Sequence, residues 1–500
     1  MKKAKRKATN PLFPIKVEKL KQTLEDQFEN STDLSFTIFE NAGQKLAVFY
    51  LSYQVNSERI ENTLLKTLLE SQKEWTVESV LNEVPLNTGQ KMDKLEELLT
   101  NLINGHVFVY IEGEKQVVSY LMLNIEQRSL TKAETESVVI GPQVAFTESL
   151  VTNLNILRWR MRSKDLVFEK IMLGKRTPKE ARLIYLKSVA NETDVNTMRQ
   201  RLQDLEVDEV EDANVLMQYV EDSSLTIFPQ FYSTELPDRA SYAINKGRVG
   251  VIVENSPAAI LAPTTFFSFF ESTEDLYMRW NAGSFLRVLR FISMFISVML
   301  TPMYVAAVTF HYELIPTQLL ISIGQSRANV PFPPIFEALL LELLIELLRE
   351  AGARLPTKVG QTIGIVGGVV VGTAAVQAGI TSNILIIFIT ISALASFTAP
   401  SYLMGTSIRV LRFPMIILAG ILGIMGIVFG ISFLIIHLLR LTSLGRPYLT
   451  PIYPFRMVDL NKVLIRFPQQ FQGKRFLSFR PKDRVRFNKK KANEKKDIDE

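Results

Sequence analysis

The chain has no cysteine and only three histidines, His106, His311 and His437, among its 500 residues. Without cysteine it can form no disulfide, bind no metal through a thiolate and use no cysteine nucleophile. The three histidines are far apart in the sequence, so no histidine cluster is indicated. We expect His437, in the last apolar segment, to be a packed or interfacial residue rather than a proton relay. We expect His106, at the start of a predicted strand, to have no chemical role.

Sequence motifs of catalysis are also lacking. There is no Walker lysine motif, no Gly-x-Ser-x-Gly elbow and no His-Glu-x-x-His pair. We therefore expect no enzyme activity, no cofactor and no metal site. The net charge of +6 comes largely from basic residues at the two ends, where such segments commonly meet anionic lipid headgroups. Since no pattern of a nucleic-acid-binding module accompanies them, we expect membrane lipid and no nucleic acid as a partner.

Charge is absent from one long stretch, because no charged residue occurs between Lys358 and Arg409. A helix of about 20 apolar residues crosses a bilayer, so we expect an all-α polytopic membrane domain over residues 257–440. It should open with a short apolar helix in the membrane interface. Full spans are expected at residues 291–312, 359–379, 382–400 and 413–438. Partial helices are expected at residues 314–326 and 335–350.

The N-terminal half alternates strand-like and helix-like patterns, which predicts two small α/β subdomains at residues 31–130 and 131–256. A basic flexible N-terminus (residues 1–30) precedes them, and a basic tail (residues 441–500) follows the membrane domain. No apolar segment follows the first basic residues, so no cleaved secretory signal is indicated and the α/β half is expected in the cytoplasm. The long basic tail favours a cytoplasmic C-terminus as well.

Three carboxylates are spaced by four residues within an otherwise Leu-rich segment. Glu342, Glu346 and Glu350 therefore share one face of a predicted helix, and Arg349 can pair with Glu346. A carboxylate at membrane depth must face water or a partner, which would make this face part of an aqueous path for cations. The alternative is an amphipathic helix at the interface whose acidic face is simply solvated. The spacing alone leaves both interpretations open.

Glycines in the next segment also repeat at a spacing of four. These are Gly360, Gly364, Gly368 and Gly372. Glycine costs about 1 kcal/mol relative to alanine inside a helix, so four on one face predict that a neighbouring backbone packs very close. That neighbour is either another helix of the chain or a second copy of it. Gly367 beside Gly368 would also permit a bend, as a gate requires.

Several long motifs occur in both halves of the chain. They are VPFPPIFEALLLELLIELLREAGARLP, VGQTIGIVGGVVVGTAAVQAG, ASFTAPSY and IRVLRFP in the C-terminal half, and VVIGPQVAFTESLVTNLNILRWR, FPQFYSTELPDR and GRVGVIVENSP in the N-terminal half. Together they resemble the A subunits of bacterial spore germinant receptors of the GerA family. The resemblance covers residues from about 30 to about 460. It therefore includes both α/β subdomains and the membrane domain.

The resemblance implies a subunit of a nutrient receptor in the inner membrane of the dormant spore. Its partners would be a transporter-like B subunit and a C subunit lipoprotein. Copies of the A subunit would oligomerise into a nutrient-gated channel for monovalent cations, which favours the acidic face as part of the ion path. The alternatives are a membrane scaffold or transporter-like component without its own pore, and a related accessory channel in the same membrane.

Overall fold

The computed structural model describes residues 14–28, 31–124, 133, 136, 138, 140–355 and 372–488. An N-terminal α/β region with two antiparallel five-stranded sheets is followed by a helical region that contains strongly apolar helices. The α/β region followed by helices confirms the expected fold class.

The first α/β unit is built on a sheet of strand order β1-β2-β4-β5-β3, in which every pair is antiparallel. Its strands are β1 (Leu34–Asn41), β2 (Gln44–Leu51), β3 (Gln90–Met92), β4 (His106–Ile111) and β5 (Val117–Leu121). Its helices are α1 (Val17–Gln27), α2 (Ser57–Arg59), α3 (Lys66–Glu70), α4 (Val77–Glu83) and α5 (Leu95–Ile103). Successive residues of a strand point to opposite faces, and helices cover both faces here, so Val48 and Phe49 are both fully buried.

The N-terminal segment is more ordered than predicted. We expected residues 1–30 to be flexible, but α1 packs on the sheet with Val17, Leu20 and Leu24 buried. Their spacing of three and four residues places them on one face of the helix. The many lysines around them gave this segment the composition of a mobile arm.

The second α/β unit has strand order β6-β7-β9-β10-β8, again antiparallel throughout. Its strands are β6 (Leu166–Leu173), β7 (Lys179–Leu186), β8 (Tyr232–Thr234), β9 (Val249–Val253) and β10 (Ala259–Ala262). Its helices are α6 (Leu150–Arg160), α7 (Glu192–Gln203), α8 (Ala213–Val220) and α9 (Pro237–Asn245).

Strand β10 corrects the predicted start of the membrane domain at residue 257. The segment that we expected as an interfacial helix is a strand between β9 and β8, followed by a buried 3₁₀ turn, Phe266–Phe270. Ala259 and Leu261 face one hydrophobic core, and Ile260 and Ala262 face the other. A strand that is covered on both faces is apolar at every position, which is why its composition resembled that of a membrane segment.

The helical region begins with α10 (Trp280–Phe310), which is about 46 Å long at 1.5 Å per residue. It continues with α11 (Thr317–Arg327), α12 (Pro334–Arg354), α13 (Gly372–Gln377), α14 (Asn383–Ser396), α15 (Tyr402–Leu422) and α16 (Ile424–Arg440). Within the part of the chain that the structure describes, α10 and α15 are long and apolar enough to cross a membrane. Most of the predicted span at residues 359–379 lies outside the described residues.

The predicted single span at residues 413–438 is wrong. Gly423 has a φ of +60°, and it ends α15 and starts α16. This left-handed conformation suits glycine, and the chain reverses there, because Gly426 lies against Leu418 and Gly430 against Met415. The unbroken apolar sequence gave no sign of this reversal beyond the glycine itself.

Replacing Gly426 by alanine is expected to separate α15 from α16. The added Cβ would lie 2.6 Å from the carbonyl carbon of Leu418, and backbone atoms cannot move aside without moving the helix. Overpacking of this kind costs about 1–3 kcal/mol, occasionally more. The measurement is the melting temperature of the full chain in detergent. Gly324→Ala is the control, because no described atom lies within 4 Å of its Cβ position, and it should stabilise α11 slightly. A Gly426→Ala variant as stable as the wild type would contradict the prediction.

The C-terminal segment returns to the second α/β unit. It contains a short strand pair, β11 (Thr442–Ser443) and β12 (Arg446–Pro447), and helix α17 (Met457–Leu464). Tyr448 is fully buried and its hydroxyl donates to the carbonyl of Pro229 at 2.7 Å. The part of the expected basic tail that the structure describes is therefore a packed element of the fold.

Candidate functional site

Helix α12 carries the predicted acidic face. Its start is fixed by Pro333 at the N-cap and Pro334 at the first position, where proline has the required φ and no hydrogen bond is lost. The helix packs against α10, α14 and α15. Each of its carboxylates is paired with an arginine, at distances of 3.0 Å for Glu337–Arg327, 2.5 Å for Glu342–Arg412, 3.1 Å for Glu346 with both Arg349 and Arg409, and 2.5 Å for Glu350–Arg354.

The Glu342–Arg412 pair is the centre of a buried polar network. The two side chains are 2% and 3% exposed. The Arg412 guanidinium also donates to the backbone oxygen and hydroxyl of Ser297, at 2.9 and 2.8 Å, and to the carbonyl of Ser392 at 3.2 Å. The hydroxyl of Thr301 donates to the second oxygen of Glu342 at 3.1 Å. This network connects α10, α12, α14 and α15, and the buried charges that it contains are paired and hydrogen-bonded, as a low-dielectric interior requires.

Exposure increases along the acidic face. The side chain of Glu342 is 2% exposed, that of Glu346 is 38% and that of Glu350 is 62%. Arg349, which pairs with Glu346, also donates to the Ser396 hydroxyl at 3.2 Å. The three carboxylates therefore share a face, as the spacing predicted, but they lie in different surroundings. Only Glu346 and Glu350 can reach solvent or another molecule.

A fourth carboxylate on this helix was not among the predicted site residues. Glu337 is buried, pairs with Arg327 of α11 and accepts a hydrogen bond from the backbone nitrogen of Ser382 at 3.1 Å. It thereby connects α12 to the start of α14. Glu337 does not match the spacing of four residues that defined the acidic face, so the sequence pattern did not include it.

The arginine partners on α15 were also missed. Arg409 and Arg412 lie in a largely apolar segment, and charged residues in such segments are usually paired with one another or face a cavity. That rule could have connected them with the acidic helix, although it could not have said which arginine binds which carboxylate.

The predicted glycine face falls largely outside the described residues, because Gly360, Gly364, Gly367 and Gly368 all lie in the gap between residues 355 and 372. Gly372 begins α13, and no described atom lies within 4 Å of the position of its Cβ. Among the described residues, close packing at glycine occurs in the α15–α16 hairpin. A glycine spacing of four also occurs there, between Gly426 and Gly430.

The histidines take no part in the acidic face. The ring of His437 lies 2.8 Å from the hydroxyl of Thr226 and packs near Phe228. His106 is in β4, and its burial lowers its pKa. Among the residues that the structure describes, no group of three or more His, Asp or Glu side chains could hold a metal ion.

Comparison with known proteins identifies the family. The family model for the Bacillus/Clostridium GerA spore germination protein matches residues 22–477. Spore germination protein GerQA of Bacillus cereus is 39% identical over 424 residues, which is 84% of this chain and 85% of that protein. Spore germination protein A1 of Bacillus subtilis (strain 168) is 40% identical over 423 residues, 84% of this chain and 88% of that protein.

A solved structure is also similar. It is the N-terminal domain of the A subunit of the Bacillus megaterium spore germinant receptor GerK3, with 24% sequence identity and a TM-score of 0.41, covering 52% of this chain and 98% of that one. The match of the family model covers both α/β units and the helical region. On the strength of that match and of the two relatives, this chain belongs to the GerA spore germination protein family.

Proposed function

We propose that this chain is the A subunit of a germinant receptor and acts in the inner membrane of the spore to start germination when a nutrient is present. Family membership over residues 22–477 supports the role in germination. Within the described residues, two helices that are long and apolar enough to cross a membrane support the location. A transporter-like B subunit and a C subunit lipoprotein are the partners that this role requires.

Exposed apolar side chains on the outer faces of the candidate span α10 and of the shorter apolar helix α16 support contact with lipid. Phe285 and Phe295 of α10 and Phe429 and Phe433 of α16 are more than half exposed. Side chains of this kind are costly in water and favourable in a bilayer. Exposed Trp280 at the start of α10 is suited to the membrane interface.

We further propose that several copies assemble so that the exposed part of the acidic face lines a path for monovalent cations. The observation that carries this proposal is the increase in exposure from Glu342 to Glu350. Glu346 and Glu350 are accessible and could form rings of carboxylates, which favour cations. Glu342 would instead hold α12 in place through Arg412. Because Arg349 and Arg409 neutralise Glu346 in this conformation, the conformation corresponds to a closed path.

The test is the release of potassium from spores after addition of the nutrient that germinates the wild type. Glu346→Gln is expected to slow the release several-fold, because the amide keeps the shape of the side chain but removes the charge that attracts a cation. Glu313→Gln is the matched control, since Glu313 is an exposed carboxylate of the helical region outside α12. Immunoblots must show equal amounts of receptor. Unchanged release with Glu346→Gln would remove this face from the ion path.

One observation favours a second candidate, a membrane scaffold without its own pore. Every described carboxylate of α12 is already paired with an arginine, and a purely structural helix would need no more than this. A scaffold predicts that Glu346→Gln leaves potassium release unchanged. A substitution that leaves one member of the buried Glu342–Arg412 pair without its partner would still abolish release by disrupting the fold.

A further inference from the structure

A basic cleft lies where the second α/β unit, the first turns of α10 and the C-terminal segment meet. Seven of the fourteen residues that line it are Lys or Arg, and one, Glu271, is acidic. Basic residues come from α9, α10, α17 and the segment after α17, so the cleft is formed only when these parts of the chain come together. Nothing in the proposed cation path uses it.

Carboxylates neutralise some of these cations. Glu271 pairs with Lys246 at 3.2 Å. Its burial alone would raise its pKa, but Lys246, Arg287 and Arg248 hold that pKa at about 2, so the carboxylate is ionised. Asp275, behind the cleft, pairs with Arg287 at 3.2 Å.

Two further carboxylates pair with cations from the C-terminal side of the cleft. Asp459 lies 3.6 Å from Lys462, and Asp483 lies 2.6 Å from Arg475. Together with Glu271 and Asp275 these carboxylates account for four of the seven cations that line the cleft. Positive charge remains in excess.

Three cations form no ion pair with a described carboxylate, although Asp275, which already pairs with Arg287, is close enough to attract Arg466. Arg466 is 94% buried, given its 6% exposure, and donates to the carbonyls of Leu276 and Met278 at 2.7 and 2.6 Å, while its Nε atom has no acceptor. Lys474 and Arg486 are exposed at the rim of the cleft and form no ion pair in the described part of the chain. A buried guanidinium without an ion-pair partner of its own is unfavourable, and an anion in the cleft would supply that partner.

We infer that this cleft binds a phosphoryl anion, supplied either by the headgroup of an anionic lipid or by free phosphate. Arginine forks and lysine ammonium groups are the side chains that bind phosphoryl oxygens best. The cleft also lies beside the first turns of α10, because Arg287 lines it and Arg466 packs against Gly283. Basic sites at the end of a membrane helix commonly meet lipid headgroups.

The experiment measures binding of dioctanoyl phosphatidylglycerol and of inorganic phosphate to the detergent-purified full chain by thermophoresis. The test variant is Lys474→Gln with Arg486→Gln, because both side chains are exposed and their loss should not affect folding. The control is Lys164→Gln with Arg484→Gln, which removes the same charge from exposed positions that do not line the cleft. We expect the test variant to bind about tenfold or more weakly, given the contribution of each basic residue near an anionic headgroup, and the control to bind like the wild type.

The two ligands distinguish the source of the phosphoryl group. If inorganic phosphate binds and displaces the lipid, free phosphate is sufficient. If phosphatidylglycerol binds and inorganic phosphate does not, the site takes a lipid headgroup. The inference is overturned if the wild type binds neither ligand, if the test variant binds as tightly as the wild type, or if the control loses as much affinity as the test variant.

Discussion

Replacing Arg412 by methionine is expected to destabilise the helical region by about 3–5 kcal/mol, because the substitution leaves the carboxylate of Glu342 buried and unpaired. Glu342 is 2% exposed and its other contact is a single hydrogen bond from Thr301. The backbone oxygens of Ser297 and Ser392 would lose their donor as well. The measurement is thermal unfolding of the full chain in detergent, monitored by fluorescence-detected size-exclusion chromatography.

Two controls separate the buried pair from a general effect of losing an arginine. The double variant Glu342→Leu with Arg412→Met removes both charges and should recover much of the stability, since a buried ion pair can often be replaced by apolar side chains. Arg354→Met removes a 79%-exposed arginine that pairs with Glu350 on the same helix, and surface pairs contribute at most about 1 kcal/mol. Equal melting temperatures for Arg412→Met and Arg354→Met would show that the network contributes little.

Arg158→Met should weaken the contact between the two α/β units by a similar amount, about 3–5 kcal/mol. Arg158 and Asp33 are both fully buried and lie 2.5 Å apart. Arg158 also donates to the carbonyls of Ser163 and Leu166, at 3.2 and 3.1 Å, so it joins the segment before β1 to the start of β6.

Hydrogen exchange of the full chain is the appropriate measurement for this contact. Backbone amides of β1 and β6 should exchange faster in Arg158→Met, whereas those of the helical region should be unaffected. Arg176→Met is the control, because Arg176 is 81% exposed and pairs loosely with Asp208 at 3.5 Å. If exchange in β1 and β6 is the same in both variants, the pair does not hold the units together.

The sequence was sufficient to predict the features that depend on residues close together along the chain. The alternation of strands and helices predicted the α/β region, and the spacing of Glu342, Glu346 and Glu350 predicted their common face. Composition misled the prediction at β10, because a strand covered on both faces is as apolar as a membrane segment.

Contacts between distant residues could not be predicted in the same way. Glu342 meets Arg412 because α12 and α15 pack together, and nothing in either helix specifies the partner. The differences in exposure among the three carboxylates also depend on which neighbouring helices cover each one. The sequence therefore predicted which carboxylates share a face. Only the structure showed that Glu342 is in a buried ion pair while Glu346 and Glu350 are accessible.

The return of the C-terminal segment to the second α/β unit restricts how many times the chain can cross a membrane. The chain leaves this unit just before α10, and after α16 it comes back at once, where the backbone nitrogens of Leu444 and Gly445 donate to Asp222 at 3.0 and 2.8 Å. The helical region thus begins and ends on the same domain, and a folded domain stays on one side of a bilayer. If helices of this region cross a bilayer, the number of crossings is therefore even, and the two α/β units lie on the same side as the C-terminal segment.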